Sequence, residues 1–216
     1  MKTVETFFQD MAFGQLKQTP ATDDDRVGLI YPEVEEQLLQ LTNQGLVDIT
    51  TRLKLFEGTD IVTFVDAQNI YDFNVMSGFD NFVKPLSVHG KDVYGNEKVF
   101  IPKTNSHITL PSPYTIRFST QFMEDYVPSV DVHYQKTHAP VDMNATMELP
   151  NHLYEALALY VSGLYISHMG GQENTAKGDS YYGLYLSMLQ TDVTENKSGT
   201  SEVVDEDTRF ADRGFV

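Results

Sequence analysis

Cysteine is absent from the 216-residue chain, which removes disulfides and thiolate metal sites together. Basic residues are scarce. Fifteen Lys and Arg stand against 31 Asp and Glu, a formal net charge of −16. A protein that holds DNA or RNA by its phosphates needs a basic face, so this balance speaks against that class. It leaves room for a surface that nucleic acid slides past without sticking. Long hydrophobic runs are also missing. The uncharged stretch from Ala156 to Gln172 is 17 residues long, at the short limit for a bilayer span. It contains Ser162, Gly163, Ser167 and His168, and Glu155 and Glu173 flank it with no basic anchor. No transmembrane helix is expected. Glu5 and Asp10 interrupt the N-terminal apolar residues, so no secretory signal is expected either.

Signatures of catalysis are lacking in the same way. The six histidines (His89, His107, His133, His138, His152 and His168) form no HExxH pair or other tight ligand spacing. No GxSxG elbow occurs. "GGQENTAKGDS" is glycine-rich, but Lys177 is followed by Gly178 rather than Ser or Thr, and the run joins two helical patterns instead of following a strand. It reads as a helix C-cap followed by a helix start, not as a phosphate loop. The "DDD" of the linker "KQTPATDDDR" lacks the alternating ligands and glycine turn of a calcium loop and reads as a spacer. No catalytic, cofactor or metal residues are expected.

Hydropathy of 41% apolar and 21% charged residues is that of an ordinary globular chain, long enough to bury a core. Residues 3–16 carry Val4, Phe7, Phe8 and Met11 on one side of a helix, with Thr3 as N-cap. "YPEVEEQLLQLTNQGLVDITTRLKLF" predicts a second helix. Pro32 suits the first position, Glu33, Glu35 and Glu36 suit its positive end, and Leu38, Leu41, Leu46, Ile49 and Leu53 form its stripe. From Glu57 to about Lys136 the period becomes that of strands. "DIVTFV" and "IYDF" are expected to form a hairpin across "DAQN". "FVKPLSV" and "KVFIP" flank a turn-rich loop. "PYTIRFS" and "VDVHYQ" alternate cleanly, which means antiparallel sheet with one buried face.

The segment "LPNHLYEALALYVSGLYISHMGGQENTAKGDSYYGLYLSML" predicts two antiparallel helices. In the first, Leu153, Leu157, Tyr160 and Leu164 form one apolar stripe, and Tyr154, Ala158, Val161 and Tyr165 a second. Burial on two sides points to a bundle and a neighbouring copy as the covering surfaces. Residues 192–216 carry seven acids and three bases and read as an extended arm without a core. The expected class is therefore α+β: an antiparallel helical bundle frame, an inserted antiparallel β-sandwich or small barrel, and the arm. The divisions fall at 1–54, 55–148, 149–191 and 192–216.

In the order of these features the chain resembles the head-to-tail adaptor (connector) proteins of tailed bacteriophages, particularly the short-tailed type. The resemblance covers roughly residues 31–191. It is carried by "RLKLFEGTDIVTFVDAQNIYDF", "VYGNEKVFIP", "PYTIRFS" with "VDVHYQK", and above all by the final segment: Leu-Pro, Glu-Ala-Leu, Tyr-Val, the Gly-Gly loop, and Ala-Lys-Gly leading into a Tyr-Tyr helix. It implies a non-enzymatic virion protein, assembled in the host cytoplasm. Such a protein forms a ring, usually twelve-fold, with the portal above and a tail nozzle or tube below. DNA passes through without specific binding. Terminal arms in related adaptors grip the portal, which makes Phe210 and Phe215 anchor candidates and Arg209 and Arg213 candidates for pairing with acids on the portal. The residue-level alternative is a β-rich ligand- or carbohydrate-binding module of a virion, which Tyr94, Phe100 and Tyr126 would support if they lined one groove. A hydrolase is the third reading and has no nucleophile or metal constellation behind it.

Overall fold

The computed structural model describes residues 1–17, 19–22, 28–92, 94–102, 104–126, 128–195 and 197–198. In chain order the elements are β1 (Lys2–Thr3), α1 (Val4–Phe13), α2 (Pro32–Leu53), β2 (Phe56–Thr63), β3 (Ile70–Asp72), β4 (Phe82–Lys91) and β5 (Glu97–Phe100). There follow β6 (Ile108–Ser112), β7 (Thr115–Phe118), α3 (Thr120–Asp125), β8 (Ser129–Lys136), β9 (Thr146–Met147), α4 (Leu153–His168) and α5 (Gln172–Glu195). The fold is α+β. It divides into two compact units, residues 1–49 with 140 onward, and residues 50–139.

In the first unit the predicted helices form for the predicted reasons. The Thr3 hydroxyl accepts the Thr6 N–H at 3.2 Å and so caps α1, which buries Val4, Phe7, Phe8 and Met11. Leu38, Leu41, Leu46 and Ile49 of α2 are buried as one stripe. Helix α2 stops where Lys54 turns to a φ of +50°. Strands β1 and β9 make a two-rung antiparallel ladder that the sequence does not announce. Tyr154 locks it, because its hydroxyl accepts the Lys2 N–H at 2.9 Å and donates to the Met147 carbonyl at 2.7 Å.

The helical pair departs from expectation at three boundaries. Pro150 marks a helix start by its type, yet α4 begins at Leu153, after a turn in which the Leu153 N–H donates to the Pro150 carbonyl. Gly170 and Gly171, with φ of +73° and +84°, turn the chain, and α5 starts at once at Gln172. The Ala-Lys-Gly step therefore lies inside α5 and is no turn. At its far end α5 continues through Glu195, so residues 192–195, expected as the start of the arm, are helical.

The second unit holds two antiparallel sheets, ordered β2-β8-β4-β5 and β3-β7-β6. They share one core: Val62, Val88, Val130 and Val132 from the first sheet meet Tyr71, Ile108, Ile116 and Phe118 from the second. Among the described residues the sheets stay separate, as in a sandwich, and do not close into a barrel. The expected β2–β3 hairpin does not form. Strand β2 pairs with β8 along its whole length, Phe56↔Lys136 through Thr63↔Ser129, and β3 pairs with β7. The "DAQN" link crosses from one sheet to the other. Strand β6, which none of the predicted strands covers, is an edge strand, where the N–H that Pro111 lacks costs little. Pro85 in central β4 sits at a register shift, which spares the ladder the same loss. Strand β2 is also an edge, and the Asp60 carboxylate occupies the Ile61 N–H of that edge strand at 2.7 Å.

Candidate assembly surfaces

Helix α4 is apolar on two stripes because its own unit covers both. On one side Gly45 of α2 presses against Leu157 and Tyr160, and a Cβ on Gly45 would lie 2.6 Å from the Leu157 side chain. On another, the Ser162 hydroxyl reaches Met11 Sδ of α1 at 3.9 Å. Leu153 and Leu157 are buried; Tyr160 and Leu164 are half-buried. The second stripe, Tyr154, Ala158, Val161 and Tyr165, is buried as well. Within its own unit α4 is thus covered along both stripes except at Tyr160 and Leu164, which stay half-buried.

Helices α4 and α5 run antiparallel and approach closely at Gly163 and Gly178. A Cβ on Gly178 would lie 2.0 Å from Ser167 Oγ and 2.6 Å from the Gly163 carbonyl oxygen. Glycine at 178 is a packing requirement. Beside this contact stand three tyrosines. Tyr185 is fully buried, its hydroxyl donates to the Asp48 carboxylate, and its ring meets Tyr160 edge-on at 5.1 Å. Tyr160 and Tyr182 are 6.1 Å apart and half-buried, and they border a groove of about 190 Å³. Elsewhere α5 exposes Leu184 and Val193, 52% and 62% accessible.

Where α5 ends, Asp192 is buried. Its Oδ1 lies 2.5 Å from His152 Nε2 and accepts the Ser198 hydroxyl at 2.9 Å, while Oδ2 has no hydrogen-bond partner. Ser, His and Asp meeting in one place invite comparison with a catalytic triad. The geometry refuses it: Ser198, 3.4 Å away, and Asp192 both address the same imidazole nitrogen, whereas a triad needs opposite ones. Its role is to close the end of α5 against the start of α4. Nothing local in the sequence signals it, since its partners lie 40 residues apart.

On the outward side of the four-stranded sheet, His89 of β4 and His133 of β8 stack with ring centroids 4.1 Å apart. Ser87 bonds His89 Nε2 at 2.9 Å and Thr59 bonds His133 Nδ1 at 3.2 Å. Burial and the neighbouring His133 lower the His89 pKa below its ordinary 6.5, against the opposing pull of Glu97 and Asp131. A depressed folded-state value means stability that is complete above that ordinary value and is lost as pH falls through the folded one. Urea midpoints between pH 7 and pH 5 should therefore fall less steeply for His89→Gln than for the unaltered protein. An identical slope would show that the pair contributes nothing to acid sensitivity.

Tyr94, Phe100 and Tyr126 do not line one groove. Tyr94 is 86% exposed at the β4–β5 turn, but Tyr126 is buried and Phe100 packs on Phe122 and Tyr126 at 5.0 and 5.1 Å. Among the described residues no group of three His, Asp or Glu side chains is placed to hold a metal. None of the described helices is long and apolar enough to cross a membrane. The arm candidates Arg209, Phe210, Arg213 and Phe215 lie outside the described residues.

No family model and no curated protein matches the chain. Among solved structures the chain is similar to one from the neck of an empty gene transfer agent (GTA) particle, a phage-like particle, computed with C6 symmetry. The two are 13% identical over 82% of this chain and 87% of that chain, with a TM-score of 0.29.

Proposed function

We propose that the chain is a structural, non-enzymatic virion protein: a head-to-tail adaptor that forms a ring, twelve-fold as in the family it resembles, between portal and tail. The supporting observation is the motif-bearing hairpin. Residues that carry the resemblance are ones the fold uses structurally: Gly170-Gly171 as the turn, Gly178 as the helix contact, and Tyr160 and Tyr182 as neighbouring rings between α4 and α5. The contiguous β unit, residues 50–139, stands between the helices of the first unit in chain order, as in that family. A net charge of −16 suits a conduit, since acidic walls repel phosphates and keep DNA moving. On this reading the C-terminal arm grips the portal, with Phe210 and Phe215 as apolar anchors and Arg209 and Arg213 paired to portal acids.

Electron microscopy of tailless, DNA-filled heads incubated with purified protein tests the proposal. Rings seated on the portal vertex are the expected result, and a monomer that never joins the heads would overturn it. The arm has its own test. A chain ending at Ser198 keeps Asp192 and its contacts, so it should retain its helix content and lose attachment. Equal co-sedimentation of truncated and full-length protein would remove the arm from the portal interface and leave the ring reading in place.

A further inference from the structure

The groove beside the α4–α5 contact has a chemistry of its own. Its floor is the glycine pair, Gly163 and Gly178, where the two backbones come close enough to exclude side chains. Its walls are the Tyr160 and Tyr182 rings and the half-buried aliphatic Leu164. Asp179 and Ser167 complete the lining. Among the described residues the Asp179 carboxylate has no cation beside it, and neither the Tyr182 nor the Ser167 hydroxyl makes a hydrogen bond. Behind the walls, the Tyr185 hydroxyl donates a hydrogen bond to the Asp48 carboxylate, and its ring backs those of Tyr160 and Tyr182.

An unpaired carboxylate, two idle hydroxyl oxygens, two π faces and an alkyl wall together describe the complement of one kind of side chain. It has an apolar stem and a planar cationic head with several N–H donors. We infer that this groove receives an arginine side chain from a partner protein. Lysine is the poorer fit. Its ammonium is a compact, strongly hydrated point charge, whereas a guanidinium stacks on tyrosine and donates to two oxygens in one plane. At about 190 Å³ the space suits a single side chain and falls below the range of pockets for free drug-sized ligands. Charge complementarity selects the source, because the Asp179 carboxylate in a chain of −16 draws a basic segment of another protein. The inference stands apart from the ring proposal: it fails or holds whatever the chain assembles into.

The probes are blocked Gly-Arg-Gly, Gly-Lys-Gly and Gly-Leu-Gly peptides, titrated into the full-length protein and followed by methyl NMR at Leu164. Arginine should saturate the shift in the millimolar range, as a single side chain allows. Lysine should bind about fivefold more weakly, and leucine not at all. Asp179→Asn should weaken the arginine peptide about tenfold, through loss of a charge-assisted bond. Glu173→Gln, one charge removed earlier on the same helix, should leave it unchanged. Equal response to arginine and lysine, insensitive to Asp179→Asn, would overturn the inference in favour of diffuse attraction. Preference for the leucine peptide would make the groove an apolar dock. A Leu164 shift that grows with protein concentration alone and vanishes in Asp179→Asn would put a second copy there, and no shift with any peptide would leave the groove empty.

Discussion

Replacing Leu157 with Asp is expected to leave no cooperatively folded protein. Leu157 is fully buried in α4 and touches Gly45 of α2. Truncating such a leucine costs about 2–5 kcal/mol through lost burial and the remaining cavity. A carboxylate placed there without a partner adds several kcal/mol more. The sum rivals the roughly 5–15 kcal/mol that holds a whole domain together. Leu184→Asp is the control. Leu184 is half-exposed on α5, and a substitution there should stay within about 0.5 kcal/mol. Circular dichroism during urea unfolding reads both. If Leu157→Asp unfolded at the same midpoint as Leu184→Asp, α4 would not be the buried helix described above.

Two glycines five residues apart on α5 should respond to alanine with opposite signs. At Gly178 the new methyl group would sit 2.0 Å from Ser167 Oγ and 2.6 Å from the Gly163 carbonyl oxygen. The serine can rotate away, but the backbone carbonyl cannot. The helices must separate, at a cost of about 1–3 kcal/mol. At Gly183 nothing lies within 4 Å of the added carbon, and the gain in helix propensity should stabilise by about 0.5–1 kcal/mol. Ser167→Ala combined with Gly178→Ala should recover only part of the loss. Full recovery would mean that the helices touch through the hydroxyl alone.

The helices were legible because their apolar residues repeat along one stretch of chain. Leu38, Leu41, Leu46 and Ile49 declare α2 without reference to anything distant, and the Thr3 cap marks the start of α1. The alternation in β7 and β8 was legible for the same reason. Pairing was not. The residues of β2 find their partners more than 60 positions away in β8, and the short "DAQN" link disguises a crossing between sheets as a hairpin. Strand β6 went without a prediction, because Pro111 and the turn before Thr115 leave only a short apolar run in it. Helix α3 is six residues long, and its one signal is Ser119, whose hydroxyl accepts the Phe122 N–H. The end of α5 was misjudged because Asp192 is polar and yet buried, held by a histidine 40 positions away. The groove was invisible for a deeper reason. Gly163, Asp179 and Tyr182 acquire a common purpose only once two helices have docked.

The division of the chain into a contiguous inner unit and a split outer one governs the order of events during synthesis. Residues 50–139 can fold as soon as they emerge, since every strand of both sheets is then present. The outer unit cannot. Phe7, Phe8 and Met11 of α1 and the leucines of α2 are made first, but the helix that buries them, α4, follows only after the whole inner unit. At about 5–20 residues per second, the wait from α2 to α5 lasts on the order of ten seconds. Throughout it a sticky helical surface hangs from the ribosome beside an already finished β unit. Nascent chains of this protein should therefore lean on chaperones that bind early, N-terminal apolar helices, and deletion of the inner unit should shorten that dependence.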